Sequence, residues 1–110
     1  MAGAITRGDV RLYDFARPDK RRPVVVLTRD SAIAYLETVT LATVTSTIRW
    51  VPSEVLLGEE DGMKAACAVN LHNLITASQS RLGRRVARLN AKRMNQICAG
   101  IGFALGCDDI

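Results

Sequence analysis

Arginine and lysine residues gather in two short windows of this 110-residue sequence. Together the windows hold ten of the fifteen basic residues, namely Arg17, Lys20, Arg21 and Arg22, then Arg81, Arg84, Arg85, Arg88, Lys92 and Arg93. Acidic residues collect elsewhere, at 59–61 and 108–109. A guanidinium meets two phosphate oxygens at once and stays charged at neutral pH. The grouping favours a polyanionic partner, most simply a nucleic acid; a solvated basic face is the alternative.

Side chains that usually build metal sites or disulfides are scarce. His72 is the single histidine, and Cys67, Cys98 and Cys107 show no Cys-x-x-Cys spacing. This composition predicts no zinc site and no disulfide framework, and it excludes most other metal sites. Histidine is the side-chain type that titrates near neutral pH, so a helper role in proton transfer stands beside the role of an ordinary strand residue for His72.

The composition indicates one folded domain over residues 1–110. Apolar residues make up 48% of the chain and charged residues 24%, which excludes disorder as the main state. Apolar runs are far shorter than the roughly 20 residues of a membrane-spanning helix. Since the N-terminus also has no apolar stretch of signal-peptide length, we expect a cytoplasmic protein without a membrane partner.

Short strands are the elements that must position the basic residues. Period-two alternation predicts a strand over 8–15, and a β-branched run predicts a strand over 23–27 that is buried on both sides and begins at Pro23. Eight of the eleven residues over 38–48 are Thr, Val or Ile, which is the strongest strand pattern of the chain. Further strands are predicted over 53–57, 67–76 and 86–89, with turns over 17–20 and 59–62 and a helical turn over 30–37 capped by Asp30 or Ser31.

One amphipathic helix is predicted after the strands. Asn90 suits its N-cap and Gly106 its end. Its apolar stripe is Met94, Ile97, Cys98, Ile101 and Leu105. Gly100 and Gly102 lower helix propensity and therefore indicate a close contact, either with the sheet or with a second copy of the chain. Five or six short strands and a C-terminal helix predict a mainly β fold with α, a small closed or half-closed barrel.

Five stretches of the sequence, in their order and spacing, resemble the MazF/PemK family of toxin endoribonucleases. They are Gly8-Asp9-Val10, the run from Arg21 to Leu27, Val44-Thr45-Ser46-Thr47, the run from Ala68 to Thr76, and Ser80-Arg81-Leu82-Gly83. The resemblance extends from about residue 8 to residue 106, nearly the whole chain.

This resemblance implies an SH3-like barrel of the CcdB/MazF type that forms a homodimer. It implies metal-independent, sequence-specific cleavage of single-stranded RNA, without a cofactor, and inhibition by a cognate acidic antitoxin. Cleavage of this kind uses the neighbouring 2′-hydroxyl as nucleophile, which RNA alone supplies, and leaves 2′,3′-cyclic phosphate and 5′-hydroxyl ends.

The resemblance also implies site residues by their position in the motifs. Arg22, just before the proline, matches the family's catalytic arginine, and Thr45, at the end of the long strand, matches its catalytic threonine. We expect RNA contacts from Lys20, Arg21, Ser46, Thr47, Arg49, His72 and Asn73. Residues 70–73 differ from the family's acidic-glutamine pair, and the loop before Arg22 is shorter than in the family, so no RNA sequence preference follows.

Two other functions remain open at this point. The first is a CcdB-like toxin that binds gyrase and cuts no RNA, in which the C-terminal helix would bind a protein. The second is a non-catalytic relative that binds RNA or an antitoxin only. Trp50 also has two interpretations, because it could stack on a nucleobase or pack where two copies meet.

Overall fold

A computed structural model describes residues 4–16 and 20–107, and within these residues the chain forms six strands and two α-helices. The strands are β1 (Asp9–Asp14), β2 (Arg21–Val26), β3 (Thr38–Thr45), β4 (Glu54–Leu57), β5 (Cys67–Ser78) and β6 (Leu82–Arg88). The helices are α1 (Asp30–Ile33) and α2 (Ala91–Leu105), and short 3₁₀ turns lie at Glu59–Asp61 and Gln79–Arg81. The mainly β fold with a C-terminal helix is confirmed.

The strands form one sheet in the order β4-β5-β3-β2-β1-β6, and neighbouring strands are antiparallel. Within the described residues β4 and β6 are the two edges and do not pair, so the barrel is half-closed. Alternating residues of β2 pack into two hydrophobic cores, one on each face of the sheet. Val25 packs with residues of α2 on one face, whereas Val24 and Val26 pack with α1 and Tyr13 on the other. The predicted burial of β2 on both sides is therefore confirmed.

The start of β2 differs from the prediction. The strand begins at Arg21, so Pro23 lies inside it and does not begin it. Pro23 pairs with Leu12 of β1, but the ladder between β2 and β3 extends only as far as Val24. Proline is tolerated there because the strand has a neighbour on one side only at that point, and a missing N–H leaves no ladder bond unmade on the free side.

Other strand bounds also differ from the prediction, because pairing with strands distant in sequence sets them. β3 ends at Thr45, not residue 48, because β5 begins at Cys67 and its Ala68 is the last partner of β3. β6 begins at Leu82, not residue 86, since pairing with β1 overrides the weak strand propensity of its glycine and arginines. The N-cap of α1 is Arg29, without a side-chain cap bond. The predicted turn over 17–20 falls mostly on residues 17–19, outside the described residues.

Helix α2 has the predicted ends. The Asn90 side chain accepts a hydrogen bond from the Arg93 amide, and Gly106 ends the helix with a φ of 77°. The predicted stripe is only partly buried. Met94 and Ile97 are buried and Ile101 is half-buried, whereas Cys98 and Leu105 are exposed. Within the described residues, neither helix combines the length and apolarity needed to cross a membrane.

The two glycines of α2 have different surroundings. A Cβ on Gly100 would overlap Leu71 Cδ1 and lie 3.5 Å from the Pro52 carbonyl oxygen, whereas a Cβ on Gly102 would meet no atom within 4 Å. Gly100 therefore provides the close contact that the sequence indicated, and the contact is with the sheet of the same chain. Gly102 has no such role in the described structure.

This difference predicts opposite effects of the same substitution. Gly102→Ala should raise the free energy of unfolding by about 0.5–1 kcal/mol, because alanine is the better helix former. Gly100→Ala should lower it by about 1 kcal/mol or more, because Leu71 is buried and cannot yield freely. Urea unfolding of both variants beside the parent measures this, and equal effects at the two positions would contradict the packing.

Candidate active site

Strand register brings Arg22 and Thr45 to the same end of the sheet. Val24 of β2 and Thr43 of β3 form the last pair of their ladder at this end. Arg22 and Thr45 each lie two residues beyond that pair in their own strands, so each shares the face of its strand with Val24 or Thr43. Residues opposite one another on antiparallel strands project from the same face. Thr43 in turn pairs with Asn70 of β5. Three neighbouring strands therefore contribute polar side chains to one face at one end of the sheet.

Two clefts meet at this pair of residues. The wide cleft, of about 380 Å³, is lined by Arg22 and Thr45 together with Ser46, Met63, Lys64 and Arg84, among others. The narrow cleft, of about 260 Å³, is lined by Phe15, Arg22, Thr43, Val44, Thr45, Arg49, Asn70 and Asn73. Arg22 and Thr45 thus lie between two openings that a single extended ligand could occupy together.

The clefts are positively charged. Arg22, Arg49, Lys64 and Arg84 line them, and no carboxylate does among the residues that the structure describes. Across residues 4–16 and 20–107, no hydrogen bond or ion pair joins these four cationic groups to the protein. Cations without protein partners, gathered around an opening, favour the binding of an anionic ligand.

Other basic residues of the two sequence windows are engaged in the fold. Arg93 binds Asp61 through two hydrogen bonds of 2.9 and 3.1 Å and fastens α2 to the loop before β5. Arg88 binds the buried Asp9 at 3.2 Å. Arg81 lies over the Tyr13 ring, 5.0 Å from its centroid, and donates to the Asp14 carbonyl. The basic windows therefore supply structural arginines as well as two of the four cleft cations, Arg22 and Arg84.

Some of the predicted site residues line the clefts and others do not. Ser46, Arg49 and Asn73 line the clefts with Arg22 and Thr45. Lys20, Arg21, Thr47 and His72 do not line either cleft, and their RNA contacts stay predictions. The Thr47 amide donates to Thr45 Oγ1 at 3.0 Å, and the His72 side chain is exposed on β5.

Of these four residues, Arg21 forms an ion pair within the described structure. Its Nε lies 2.8 Å from Asp14 Oδ1, and both side chains are exposed. The hydrogen bond lowers the pKa of Asp14 and raises that of Arg21. An exposed pair of this kind is weak, so it does not prevent Arg21 from exchanging its partner for a phosphate.

Four cleft residues were not predicted from the sequence, namely Phe15, Thr43, Asn70 and Lys64. A register shift between β3 and β5 explains why Asn70 and Asn73 both lie at the narrow cleft. Ala42 pairs with Leu74, whereas the next residue, Thr43, pairs with Asn70. The three extra residues of β5 form a bulge that brings both asparagines to the narrow cleft. No local pattern predicts such a bulge. Arg84, in contrast, lies in the second basic window, and this grouping of basic residues indicated that it could bind an anionic ligand.

Cys67, at the floor of the wide cleft, is not a nucleophile at neutral pH. Burial, with a further contribution from Asp61, raises the pKa of its thiol, and the thiolate is the reactive form. The described residues hold no group of three or more His, Cys, Asp or Glu side chains placed to bind a metal ion. The chemistry available at the clefts is thus that of guanidinium, ammonium, hydroxyl and amide groups.

Comparison with known proteins places this arrangement in a family. The family described as PemK-like, MazF-like toxin of type II toxin-antitoxin system matches residues 6–105. The chain is 39% identical to the probable endoribonuclease MazF5 of Mycobacterium tuberculosis over 97% of this chain and 98% of that protein. It is 32% identical to the endoribonuclease MazF3 of the same organism over 90% of this chain and 96% of that protein.

Solved structures agree with these relatives. The Mycobacterium tuberculosis toxin MazF-mt6 superimposes with a TM-score of 0.81 at 30% identity, covering 89% of this chain and 96% of that one. A mycobacterial endoribonuclease in complex with its cognate antitoxin superimposes with a TM-score of 0.84 at 25% identity, covering 94% and 96%.

Proposed function

This chain belongs to the family of PemK-like, MazF-like toxins of type II toxin-antitoxin systems, and we propose that it is an endoribonuclease that cuts single-stranded RNA without a metal ion. The observation that carries the proposal is the placement of Arg22 and Thr45 between two clefts whose cations have no side-chain partner among residues 4–16 and 20–107. The endoribonuclease names of its mycobacterial relatives support the same activity.

The proposed reaction is an internal transfer at phosphorus. The 2′-hydroxyl oxygen attacks the adjacent phosphorus, the O2′–P bond forms and the P–O5′ bond breaks. The hydroxyl loses its proton and the departing 5′-oxygen gains one, which leaves 2′,3′-cyclic phosphate and 5′-hydroxyl ends. Negative charge builds on the non-bridging oxygens in the transition state, so the main requirement is a donor aimed at those oxygens.

Arg22 is suited to stabilise this charge. Its planar guanidinium donates two parallel hydrogen bonds to phosphate oxygens and needs no metal beside it. The residue lies on β2 with the ring-constrained Pro23 next to it and the fully buried Val24 after that. The backbone is therefore held rigidly while the side chain reaches the clefts, which places the donor before the substrate arrives.

Thr45 is suited to hold a second phosphate oxygen or to orient the attacking hydroxyl. Its Oγ1 accepts the Thr47 N–H at 3.0 Å. A hydroxyl has one proton to donate and two lone pairs, so this contact turns the Thr45 O–H away from the backbone and leaves it available to the ligand. The position at the very end of β3 exposes it to both clefts.

Single-stranded, sequence-specific recognition follows from the narrow cleft. Asn70 and Asn73 each offer amide donors and acceptors there, beside the Phe15 ring. Base edges are read by such groups only when the bases are unpaired and turned outward. The cations around the clefts neutralise the backbone phosphates, while these amides distinguish the bases.

We further propose the setting in which the enzyme acts. It works in the cytoplasm as a homodimer of single-domain chains spanning residues 1–110, and a cognate acidic antitoxin inhibits it. Carboxylates of an antitoxin segment would bind the same unpaired cations as the RNA phosphates. The solved mycobacterial relative in complex with its cognate antitoxin supports this control.

Fragment-end analysis tests the reaction. Purified protein is incubated with single-stranded RNA of varied sequence, with EDTA or with Mg²⁺, and the fragment ends are identified by mass spectrometry. We expect equal cleavage under both conditions, cyclic phosphate ends, and no cleavage when the nucleotide before the cut is 2′-deoxy. Intact RNA in every condition would contradict the proposal and favour a gyrase-binding or non-catalytic toxin.

A further inference from the structure

Trp50, the single tryptophan of the chain, is held in an unusual backbone conformation. Its φ is 59°, and it is the one residue other than glycine with a positive φ among the described residues. This left-handed conformation costs free energy for a side chain with a Cβ and is normally occupied by glycine. The indole is also 76% exposed, so packing within the chain does not repay that cost.

Glu54 fixes this conformation from the sheet. Its Oε1 accepts the N–H groups of two consecutive residues, Arg49 at 2.9 Å and Trp50 at 3.1 Å. Glu54 is the first residue of β4, so the loop that carries the indole is fastened to a strand. The backbone beneath the exposed ring is therefore ordered before any ligand binds.

The loop that carries the exposed ring adjoins the narrow cleft. Arg49 precedes Trp50 directly and lines the narrow cleft with Arg22 and Thr45. Consecutive Cα atoms lie about 3.8 Å apart, so the backbone of Trp50 adjoins a residue of that cleft, although Trp50 itself lines neither cleft. An exposed aromatic face beside a line of unpaired cations is the combination that binds single-stranded nucleic acid, because bases stack while phosphates are neutralised.

We infer that Trp50 is a stacking platform for one nucleobase of an RNA strand whose phosphate occupies the narrow cleft. The inference rests on the proposed function for the identity of the strand. Stacking accepts every base because every base has a π-face, so Trp50 adds affinity and holds the strand in place, whereas the amides of the narrow cleft select the sequence.

Intrinsic fluorescence reports this contact without any cleavage, since all tryptophan emission comes from Trp50. The full-length protein is titrated with a 2′-O-methyl oligoribonucleotide, which lacks the nucleophile, and separately with inorganic polyphosphate, which has charge but no bases. We expect saturable quenching by the oligoribonucleotide and none by polyphosphate at concentrations that compete for the same protein. Equal emission with both ligands would overturn the inference.

Substitution provides the matched control. Trp50→Gly suits the left-handed backbone and removes the ring, and Trp50→Phe keeps an aromatic face. We expect Trp50→Gly to weaken binding of the 2′-O-methyl RNA, followed by anisotropy of a dye on the RNA, by about 10- to 100-fold, with Trp50→Phe close to the parent. Polyphosphate affinity and the thermal midpoint should stay unchanged.

The outcomes separate this inference from the proposed function. If the parent cleaves RNA but Trp50→Gly binds it as tightly as the parent, the stacking role is wrong and the nuclease stands. If the parent cleaves no RNA, but RNA still quenches its fluorescence and Trp50→Gly still weakens RNA binding, the stacking role stands and the nuclease proposal is wrong. Dissociation of a dimer on Trp50→Gly substitution, seen by sedimentation, would place the indole between two copies and overturn the stacking role.

Discussion

Arg22→Ala is expected to lower the rate of RNA cleavage by about 100- to 1000-fold, the usual effect of removing a preorganised donor to a developing oxyanion. The side chain is exposed and has no hydrogen bond or ion pair within the described residues, so its loss leaves no partner stranded and the fold should survive. Thr45→Ala should also slow cleavage, whereas Thr45→Ser, which keeps the hydroxyl, should slow it far less.

Rates are measured with excess enzyme on a short labelled RNA, so that chemistry and binding separate. Arg29→Ala is the charge-matched control, because Arg29 is exposed at the start of α1 and lines neither cleft. Arg22→Lys keeps the charge without the planar fork and should fall between parent and Arg22→Ala. A parental rate in Arg22→Ala, or an equal loss in Arg29→Ala, would remove Arg22 from the mechanism.

Asp9→Ala is expected to lower the free energy of unfolding by about 3 kcal/mol or more. The Asp9 side chain is fully buried, and its oxygens accept hydrogen bonds from the Thr6 amide and hydroxyl, from Arg11 and from Arg88. Arg11 is itself 4% exposed. Removing the carboxylate breaks the ion pair that Asp9 makes with the buried Arg11 guanidinium and releases the turn that precedes β1.

The same carboxylate makes stability depend on pH. Burial alone raises the pKa of Asp9, but the hydrogen bonds from Thr6, Arg11 and Arg88 together outweigh burial and lower it below its usual range. Because the pKa is lower in the folded state than in the unfolded state, the stabilisation is complete above the unfolded pKa, near 4. It is lost as the pH falls through the folded pKa.

Urea unfolding at pH 7 and pH 3 measures this contribution. The parent should lose more stability between the two conditions than Asp9→Asn, which cannot titrate at this position. Asp61, whose pKa the Arg93 hydrogen bonds lower despite its burial, titrates in both proteins and cancels from the difference. Asp14→Asn, at the exposed pair with Arg21, is the control and should change the pH dependence far less than Asp9→Asn does, because an exposed ion pair contributes little to stability. Identical pH dependence of parent and Asp9→Asn would refute the assignment.

Local chemistry was sufficient to predict most elements. The branched residues of β3 predicted its strand because branched Cβ atoms suit a pleated surface. Asn90 and Gly106 bounded α2 because cap preferences act within a single turn. The predictions that were wrong depended on a distant pairing partner. They are the end of β3, the position of Pro23 inside β2 and the early start of β6.

By itself, the sequence determined the order of strands and helix, the grouping of basic residues and the family to which Arg22 and Thr45 point. Tertiary structure decided which cations remain unpaired, because Arg88 and Arg93 find their carboxylates only through distant contacts. It also decided that the β5 bulge brings Asn70 and Asn73 to the narrow cleft, and that Glu54 holds the Trp50 backbone in its left-handed conformation beside Arg49. Propensities report neighbours along the chain, whereas a register shift or an ion pair depends on residues that only folding brings into contact.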